Sequence, residues 1–353
     1  MKGLSLFSGA GIAEMGLKNT DISIIVANEL LKYRALAHEF WHPGTKMICG
    51  DIKDPIVREE LISESINNEV EFILATPPCQ GMSLIGKNKS NSDMLNDDRN
   101  YLIFDVVDFI KILSPKYVLI ENVPRFFKIK YMVQDKESSI IDIINDQFQD
   151  EYNIKFNVYN SADYGVPQNR NRAFIRIWKK GLIWEDPIEK TQITVREAIG
   201  GLPSLESGQN SNIKNHVARK HTSSHVSCMK YTPTGKSAFE NEVHYPKKPN
   251  GDKLKGFSAT YKRIDWDKPA PTITMRNDAI SSQSNVHPGR LLHDGTYSDA
   301  RVLTLREIFI LMSMNPDLDI PPGISDIQVR HIVGEAVPPL LIESIVKGIK
   351  SYE

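Results

Sequence analysis

The chain has 353 residues, 41% of them hydrophobic, which is enough apolar material for one large domain or two ordinary ones. Intrinsic disorder is therefore excluded. Lys and Arg number 43 against 44 Asp and Glu, a formal charge of −1. This balance, taken over the whole chain, gives no sign of a polyanionic partner.

No apolar run approaches the roughly 18 residues that a membrane span needs. The N-terminal residues lack the apolar region and cleavage site of a signal peptide, so we expect a cytoplasmic protein with no membrane partner. The three cysteines, Cys49, Cys79 and Cys228, are too far apart for a disulfide framework or a CxxC pair.

The first half of the chain alternates short apolar runs with helical patterns, which is typical of βαβ units and a mostly parallel sheet. Strands are predicted over residues 3–7, 22–27, 46–48, 70–75 and 117–120. A short helix is predicted over 12–18 and an amphipathic crossover helix over 101–113. Residues 154–158 and 172–178 predict a closing antiparallel edge.

After about residue 180 the composition changes to small, polar and turn-forming residues, which predicts a second, loop-rich domain. Residues 212–263 hold nine Lys and two Arg against three acidic residues, a net charge of +8, which leaves −9 for the rest. Aromatic residues interrupt this segment: Tyr231, Phe239, Tyr245, Phe257 and Tyr261. A surface that contacts phosphates is favoured over a merely solvated basic face.

Helical periodicity returns near the C-terminus. Thr304 and Glu307 have the spacing of a capping box that opens a helix to about Met314. A final helix is predicted after Pro338 and Pro339.

Three predicted strand ends carry features of a nucleotide-like site. Phe7-Ser8-Gly9-Ala10-Gly11 lies between a strand and a helix, where glycines let the backbone approach a ligand. Glu14 stands where a dinucleotide fingerprint has a third glycine, so NAD is disfavoured. Glu29 and Asp51 follow the next two strands, and together the three features favour an adenosine site over a tight turn and two surface acids.

Cys79 follows an apolar strand and two prolines, which fix the loop as a positioned nucleophile requires. A buried free cysteine is the alternative. Glu121 ends the next predicted strand, so it should share a crevice with Cys79 if the two strands are neighbours. A protonated carboxylic acid there could activate an electron-poor ring for thiolate attack, although Glu121 could also be a helix cap.

Gln168, Arg170 and Arg172 share one side of an extended segment, and the two guanidinium groups suit a phosphate or a base carbonyl. Surface salt bridges are the alternative. Another possibility is a zinc site formed by a group of four residues: His216, His221, His225 and Cys228. We disfavour it because no second ligand pair has a familiar spacing, so no metal is expected.

In order, these segments resemble the DNA (cytosine-5)-methyltransferase family, over residues 3–178 and again over about 270–350. The resemblance rests on the loop at Phe7–Gly11 and on five further motifs: Pro77-Pro78-Cys79-Gln80, Glu121-Asn122-Val123, Gln168-x-Arg170-x-Arg172, Arg301-Val302-Leu303-Thr304-Leu305-Arg306-Glu307 and Gly334-Glu335-Ala336-Val337-Pro338.

The resemblance implies a Rossmann-like α/β methyltransferase domain with a small loop-rich target-recognition domain. The catalytic part would cover residues 1–179, the recognition domain 180–275, and residues 276–353 would return to the large domain. The implied cofactor is S-adenosylmethionine. Its expected contacts are Phe7, Gly9, Ala10, Gly11, Glu29, Leu30, Asp51, Ile52, Pro78, Leu102, Glu335, Ala336 and Val337.

The resemblance also implies the chemistry. Cys79 would add to carbon 6 of a flipped cytosine, Glu121 would support protonation at ring nitrogen 3, Arg172 would hold the base carbonyl, and Arg170 would brace the loop or a phosphate. The expected contacts with duplex DNA are Gln80, Ser83, Gln168, Lys230, Lys236, Lys262, Arg263 and Arg276.

One residue departs from the family pattern, because Glu335 stands where Asn is usual; we expect cofactor binding to survive. A tRNA cytosine methylase and a catalytically silent DNA-binding protein are the competing functions. The Cys-Phe-Thr tripeptide of the tRNA enzymes is not in the sequence. The resemblance suggests a monomeric modification enzyme that acts separately from a cognate restriction endonuclease.

Overall fold

The computed structural model describes residues 1–78, 98–133 and 136–350. These residues form two compact units. Unit 1 comprises the described parts of 1–160, 171–188 and 342–353, and unit 2 comprises 161–170 and 189–341. The predicted boundaries at residues 179 and 275 separate a catalytic part from a target-recognition part, and this functional division stays a prediction.

Unit 1 is built on a seven-stranded sheet with the order β3-β2-β1-β4-β5-β9-β8. Its strands are β1 (Lys2–Leu6), β2 (Ser23–Glu29), β3 (Lys46–Cys49), β4 (Phe72–Ala75), β5 (Tyr117–Asn122), β8 (Tyr152–Asn160) and β9 (Asn171–Lys179). The first five pair in parallel, and β9 pairs antiparallel with both β5 and β8. The predicted α/β class, the parallel strands and the antiparallel edge are confirmed.

The central strands explain why the sheet forms here. Every residue of β4 and β5 is buried, which is typical of parallel strands covered on both faces. The strand predicted over residues 3–7 ends one residue earlier, because Phe7 adopts a φ of +58° and leaves the extended conformation.

The helices of unit 1 cover the sheet. They are α1 (Lys32–Trp41), α2 (Pro55–Asn67), α3 (Leu102–Leu113) and α4 (Ile140–Phe148), and a small β6 (Lys130–Val133) and β7 (Lys136–Ser139) ribbon precedes α4. The crossover helix α3 is confirmed; Ser114, at a φ of +45°, follows its last residue. The helix predicted over 12–18 is instead one 3-10 turn, Glu14–Leu17, in which hydrogen bonds span three residues.

Unit 2 contains short helices and loops. The helices are α5 (Val195–Ile199), α6 (Ser223–Lys230), α7 (Leu305–Leu311), α8 (Asp326–Glu335) and the start of α9 (Pro339–Val346). Residues 189–341 hold isolated bridges in place of strands. The capping box of Thr304 and Glu307 is confirmed, but α7 ends at Leu311, before Ser313 turns to a φ of +56°.

Buried arginines link the loops of unit 2. The Arg263 guanidinium donates to the carbonyls of Met229, His287, Ser298 and Asp299 at 2.7–3.3 Å. Arg301 donates to the Leu205 and Val302 carbonyls as well as to Glu307 and Asp299. Buried backbone carbonyls that no ladder satisfies thus find side-chain donors.

Candidate active site

The loop after β1 is shaped by left-handed backbone. Gly9 and Gly11 adopt φ values of +58° and +75°, which L side chains rarely reach. Among the described residues, a Cβ on Gly9 would meet no atom within 4 Å, whereas one on Gly11 would lie 2.4 Å from His42 Nε2. Within that part of the chain Gly9 therefore borders open space, and Gly11 packs against protein.

Glu29 holds this loop to the end of β2. Its carboxylate accepts from Gly9 N at 2.9 Å and from Leu31 N at 2.8 Å, and its side chain is buried. The Ser8 backbone N–H and hydroxyl both donate to the Asn28 carbonyl. A carboxylate can accept about four hydrogen bonds, so these two leave acceptor capacity for a ligand.

The other predicted cofactor residues of unit 1 lie at the same edge of the sheet, where parallel strands end. Asp51 follows β3, is exposed, and accepts from Lys53 N at 2.9 Å. Ile52 is buried, and Leu30 is 60% exposed. Pro78 follows β4, and Leu102 begins α3; both are half-buried.

Sequence reasoning missed a buried histidine cluster behind the glycine loop. His42 Nε2 donates to the Gly11 carbonyl at 2.9 Å. Its ring lies 4.8 Å from that of His38, whose Nε2 is 2.8 Å from the Glu14 carboxylate. Burial opposes ionisation of Glu14, yet His38 holds the pKa of that carboxyl below its usual range. In the sequence, the signal for this cluster is the four-residue spacing of His38 and His42.

The ends of β4 and β5 bring the predicted catalytic segments together. These strands are direct parallel neighbours, as the expected shared crevice requires. Asn122 Nδ2 donates to the Pro77 carbonyl at 3.2 Å and so ties the two strand ends. Cys79, Gln80 and Ser83 lie outside the described residues; Cys79 is the next residue after Pro78.

Glu121 and Arg172 form an ion pair, with Arg172 Nε 2.9 Å from Glu121 Oε1. Glu121 is the second-last residue of β5 and Arg172 the second residue of the antiparallel β9, so both lie near the edge where the parallel strands end. Their side chains are 10% and 14% exposed. The pair can present an acid and a fork of N–H donors to one ligand.

Arg170 and Gln168 are fully buried in unit 2. Arg170 donates to the carbonyls of Ile273, Gly334 and Glu335 at 2.8–3.1 Å. The Gln168 amide donates to the Leu311 carbonyl and accepts from Ile273 N. This placement supports the bracing role considered for Arg170 and gives no support to a direct DNA contact by Gln168.

The remaining predicted residues also lie in unit 2. Glu335 and Ala336 are half-buried and Val337 is buried, at the end of α8. A Cβ on Gly334 would lie 2.3 Å from the Thr274 carbonyl, so only glycine fits there.

The basic residues predicted to contact DNA have different surroundings. Lys230, Lys236 and Arg276 are exposed and Lys262 is half-buried. Arg263 is fully buried and its donors serve backbone carbonyls; burial lowers the pKa of its guanidinium to about 10. The interior position of Arg263 gives no support to the DNA contact predicted for it.

The zinc alternative has no geometric support. Within 1–78, 98–133 and 136–350, no group of three or more His, Cys, Asp and Glu side chains is arranged to hold a metal. His216 instead contacts the Thr304 hydroxyl and the Pro203 carbonyl, and His225 contacts the Tyr261 hydroxyl. In the same described part of the chain, no helix is long and apolar enough to cross a membrane.

Comparison with known proteins identifies the family. The model of the C-5 cytosine-specific DNA methylases matches residues 1–351. The chain belongs to this family. It is therefore a DNA (cytosine-5)-methyltransferase, and membership implies dependence on S-adenosylmethionine.

Two relatives match over most of their length. The type II methyltransferase M1.HgaI of Avibacterium volantium is 52% identical over 98% of this chain and 97% of its own. M1.HphI of Haemophilus parahaemolyticus is 30% identical over 98% of this chain and 86% of its own. The structure of a protein encoded within an Escherichia coli prophage has the same fold, with a TM-score of 0.71 and 20% identity over 99% of this chain and 98% of that one.

Proposed function

We propose that this enzyme transfers a methyl group from S-adenosylmethionine to carbon 5 of a cytosine within a specific duplex DNA sequence, through a covalent adduct with Cys79. The observation that carries the proposal is the Glu121–Arg172 pair, at 2.9 Å, beside the strand that leads to Cys79. A carboxyl and a guanidinium group beside the strand that leads to Cys79 support the roles proposed here for Glu121 and Arg172.

The residues of unit 1 suit the cofactor. Open space at Gly9 gives a ligand close access to the backbone, and the Glu29 carboxylate can accept from ribose hydroxyls. Asp51 would take the adenine amino group, while Phe7, Ala10, Gly11, Leu30 and Ile52 would form the surrounding wall together with Pro78 and Leu102. We assign Glu335, Ala336 and Val337 to cofactor binding from family membership. S-adenosylmethionine, when bound, supplies the methyl group.

The protein's own groups perform the remaining steps. Carbon 5 of cytosine is a poor nucleophile, so the Cys79 thiolate forms a bond to carbon 6 while Glu121 provides a proton at ring nitrogen 3. The ring becomes enamine-like and carbon 5 accepts the methyl group. A base then removes the proton from carbon 5. The carbon–sulfur bond breaks to release the thiolate, and ring nitrogen 3 returns its proton to Glu121. Arg172 holds the base carbonyl oxygen throughout.

The target base must leave the DNA stack, at about a few kcal/mol, because its reacting atoms are hidden in the duplex. Four basic residues of unit 2, the exposed Lys230, Lys236 and Arg276 and the half-buried Lys262, would recover this energy through phosphate contacts. Gln80 and Ser83 would contact DNA near the catalytic loop. Arg170 would fix the backbone at Ile273 and Gly334. Raising the salt concentration should weaken DNA binding steeply and cofactor binding little; equal salt slopes for the two ligands would contradict this.

Similarity to proteins named type II methyltransferases supports a role in restriction-modification. The enzyme would act in the cytoplasm as a monomer and protect host DNA from a cognate endonuclease that acts separately.

One assay tests the proposed activity. Tritiated methyl groups from the cofactor should reach duplex DNA and leave tRNA unlabelled, and Cys79→Ser should abolish the transfer. Label on tRNA alone would favour the tRNA methylase, and no label on either substrate would favour a silent DNA-binding protein. Bisulfite sequencing of DNA from a host expressing the protein would then identify the recognised sequence. Calorimetry should detect cofactor binding despite Glu335; no affinity in the intact protein would refute that expectation.

A further inference from the structure

Residues 212–263 carry a net charge of +8, and only some of their basic side chains are paired with a carboxylate. Lys214 lies 2.5 Å from Asp319, Lys236 lies 3.3 Å from Glu240, and Arg219 pairs with Asp326. Arg263 is buried. The basic residues of this segment that have no such carboxylate partner are therefore the stronger candidates for attracting a polyanion.

Four of these other residues lie on one turn, residues 245–255, which we call the lysine hairpin. Lys247 and Lys253 are paired across it in an antiparallel bridge. Hydrogen bonds from Lys248 N to the Asp252 carbonyl and from Leu254 N to the Pro246 carbonyl, both 2.8 Å, hold its two sides together. Lys247, Lys248, Lys253 and Lys255 are all exposed. The backbone hydrogen bonds of the hairpin thus hold four exposed lysines on one turn.

The Tyr245 ring makes cation–π contacts with two of these lysines. The Lys247 and Lys253 ammonium groups lie 5.2 and 4.7 Å from the centre of its ring. Like charges at directly opposite strand positions destabilise a hairpin, and an aromatic ring offsets this only in part. Among the described residues, no carboxylate lies within 4.0 Å of the four lysine ammonium groups. A binding partner rich in negative charge would relieve this repulsion.

Phe257 follows the hairpin by two residues in the chain. Its side chain is 83% exposed. The preceding residue is held to the core of unit 2, since a Cβ on Gly256 would lie 2.2 Å from the Phe239 ring. After it, the Phe257 carbonyl accepts from the Thr260 N–H and hydroxyl, both at 2.9 Å. The exposed ring therefore extends from an anchored backbone.

We propose that the lysine hairpin and Phe257 form a DNA-contacting element of this enzyme, in which Lys247 and Lys253 bind phosphates and Phe257 makes an apolar contact with a base. The two ammonium groups over Tyr245 can bind phosphates, and the exposed ring two residues after the hairpin can make the apolar contact by which proteins read base edges. The inference rests on the proposed function, because it assigns the DNA contacts of the same activity.

Fluorescence anisotropy with a labelled 40-base-pair duplex of random sequence tests it over a range of salt concentrations. The slope of log K against log salt is negative, and each lost phosphate contact makes it less steep by about 0.9. The double variant Lys247→Ala/Lys253→Ala should therefore have a slope less steep by about 1.8. The variant Lys247→Arg/Lys253→Arg should keep the slope of the parent protein. Phe257→Ala should weaken binding about tenfold at every salt concentration without changing the slope.

The matched control is Lys214→Ala/Lys268→Ala, which removes the same charge from lysines of unit 2 that are paired with Asp319 and Asp265. It should leave the slope nearly unchanged. Cofactor affinity equal to that of the parent protein shows that each variant is folded. If the control and the hairpin variant change the slope equally, or if neither changes it, the inference is wrong. The proposed function is unaffected by that result as long as the parent protein transfers methyl groups to DNA. If the parent protein neither binds nor methylates duplex DNA, the proposed function itself fails.

Discussion

The two units satisfy their buried backbone in different ways. In unit 1 a continuous sheet pairs the peptide groups of seven strands, and the candidate catalytic residues extend from the strand ends. In unit 2, where residues 189–341 have no ladder, buried guanidinium groups donate to carbonyls of loops distant in sequence. The same residue type therefore has two uses: Arg172 pairs with Glu121 at the candidate site, whereas Arg170, two positions earlier, donates to backbone carbonyls.

This contrast predicts that the two units respond to mutation in different measurements. Removing a functional group at a strand end of unit 1 should impair chemistry and leave stability nearly intact. Removing a buried cation of unit 2 should impair stability, because several carbonyls and carboxylates lose their partner at once.

The largest effect is expected at Glu121. Glu121→Gln removes the proton donor while keeping the shape, so kcat for methyl transfer should fall by about 10²- to 10⁴-fold. The melting temperature should change little. Single-turnover transfer to DNA measures the effect, with the exposed Glu151→Gln as control. An activity within threefold of the parent's would refute the assigned role.

A large loss of stability is expected at Arg301. Arg301→Met leaves Glu307 and Asp299 buried without their shared partner, and should lower the free energy of unfolding by about 3–5 kcal/mol. Arg196→Met removes an exposed pair with Asp267 and should change stability little. Urea denaturation of both variants tests the contrast, and equal midpoints would remove the distinction drawn for unit 2.

A smaller effect is expected at His42, which acts as a positioning residue. His42→Phe removes the hydrogen bond to the Gly11 carbonyl, and one such bond contributes about 1 kcal/mol. Cofactor affinity should therefore fall roughly fivefold, with kcat at saturating cofactor unchanged. Calorimetric titration measures the affinity, and His293→Phe, at an exposed position of unit 2, is the control. A lower kcat with unchanged affinity would contradict a role confined to the loop.

The last effect concerns pH and His287 in unit 2. Burial, assisted by Arg301 and Arg263, lowers the pKa of His287 to about 3, and its Nδ1 accepts from Gly289 N, as a neutral ring does. The unfolded chain titrates near the ordinary value of 6.5 and so takes up the proton first as pH falls. This contribution to stability is complete above pH 6.5 and is lost towards pH 3.

Glu307 also contributes stability that is lost as the pH falls, but in a lower pH range. Burial opposes its ionisation, but Arg301 and His287 lower its pKa from 4.5 to about 2. His287→Gln should therefore flatten the decline of melting temperature between pH 6.5 and 5 and leave the steeper decline below pH 4.5. His293→Gln should leave the whole profile unchanged. An unaltered profile in His287→Gln would show that this histidine does not titrate on unfolding.

Local patterns predicted much of unit 1. Short apolar runs located the parallel strands, and apolar residues spaced by three or four located α3. Polar residues near strand ends, such as Glu29 and Glu121, could be picked out because their position after an apolar run is visible in the sequence. Helix α2, by contrast, was missed because its apolar residues form no clear stripe; only Leu61 and Ser65 are buried.

The basic residues of unit 2 were harder to interpret, since charge alone does not reveal burial. Arg263 and Lys253 look alike in the sequence, yet one is fully buried among carbonyls and the other is exposed on the lysine hairpin. The partners that decide between these positions, such as His287 and Ser298, lie more than 20 residues away.

The sequence by itself determined the α/β class, the order of the motifs and the chemistry that those residue types can perform, because each is encoded in short stretches of chain. The tertiary structure alone decided which charged groups lie at the candidate site and which support the fold. Glu121 meets Arg172 only when β9 pairs with β5, and His42 reaches Gly11 only when α1 packs behind the loop. Such contacts depend on long-range packing, which local sequence patterns do not specify.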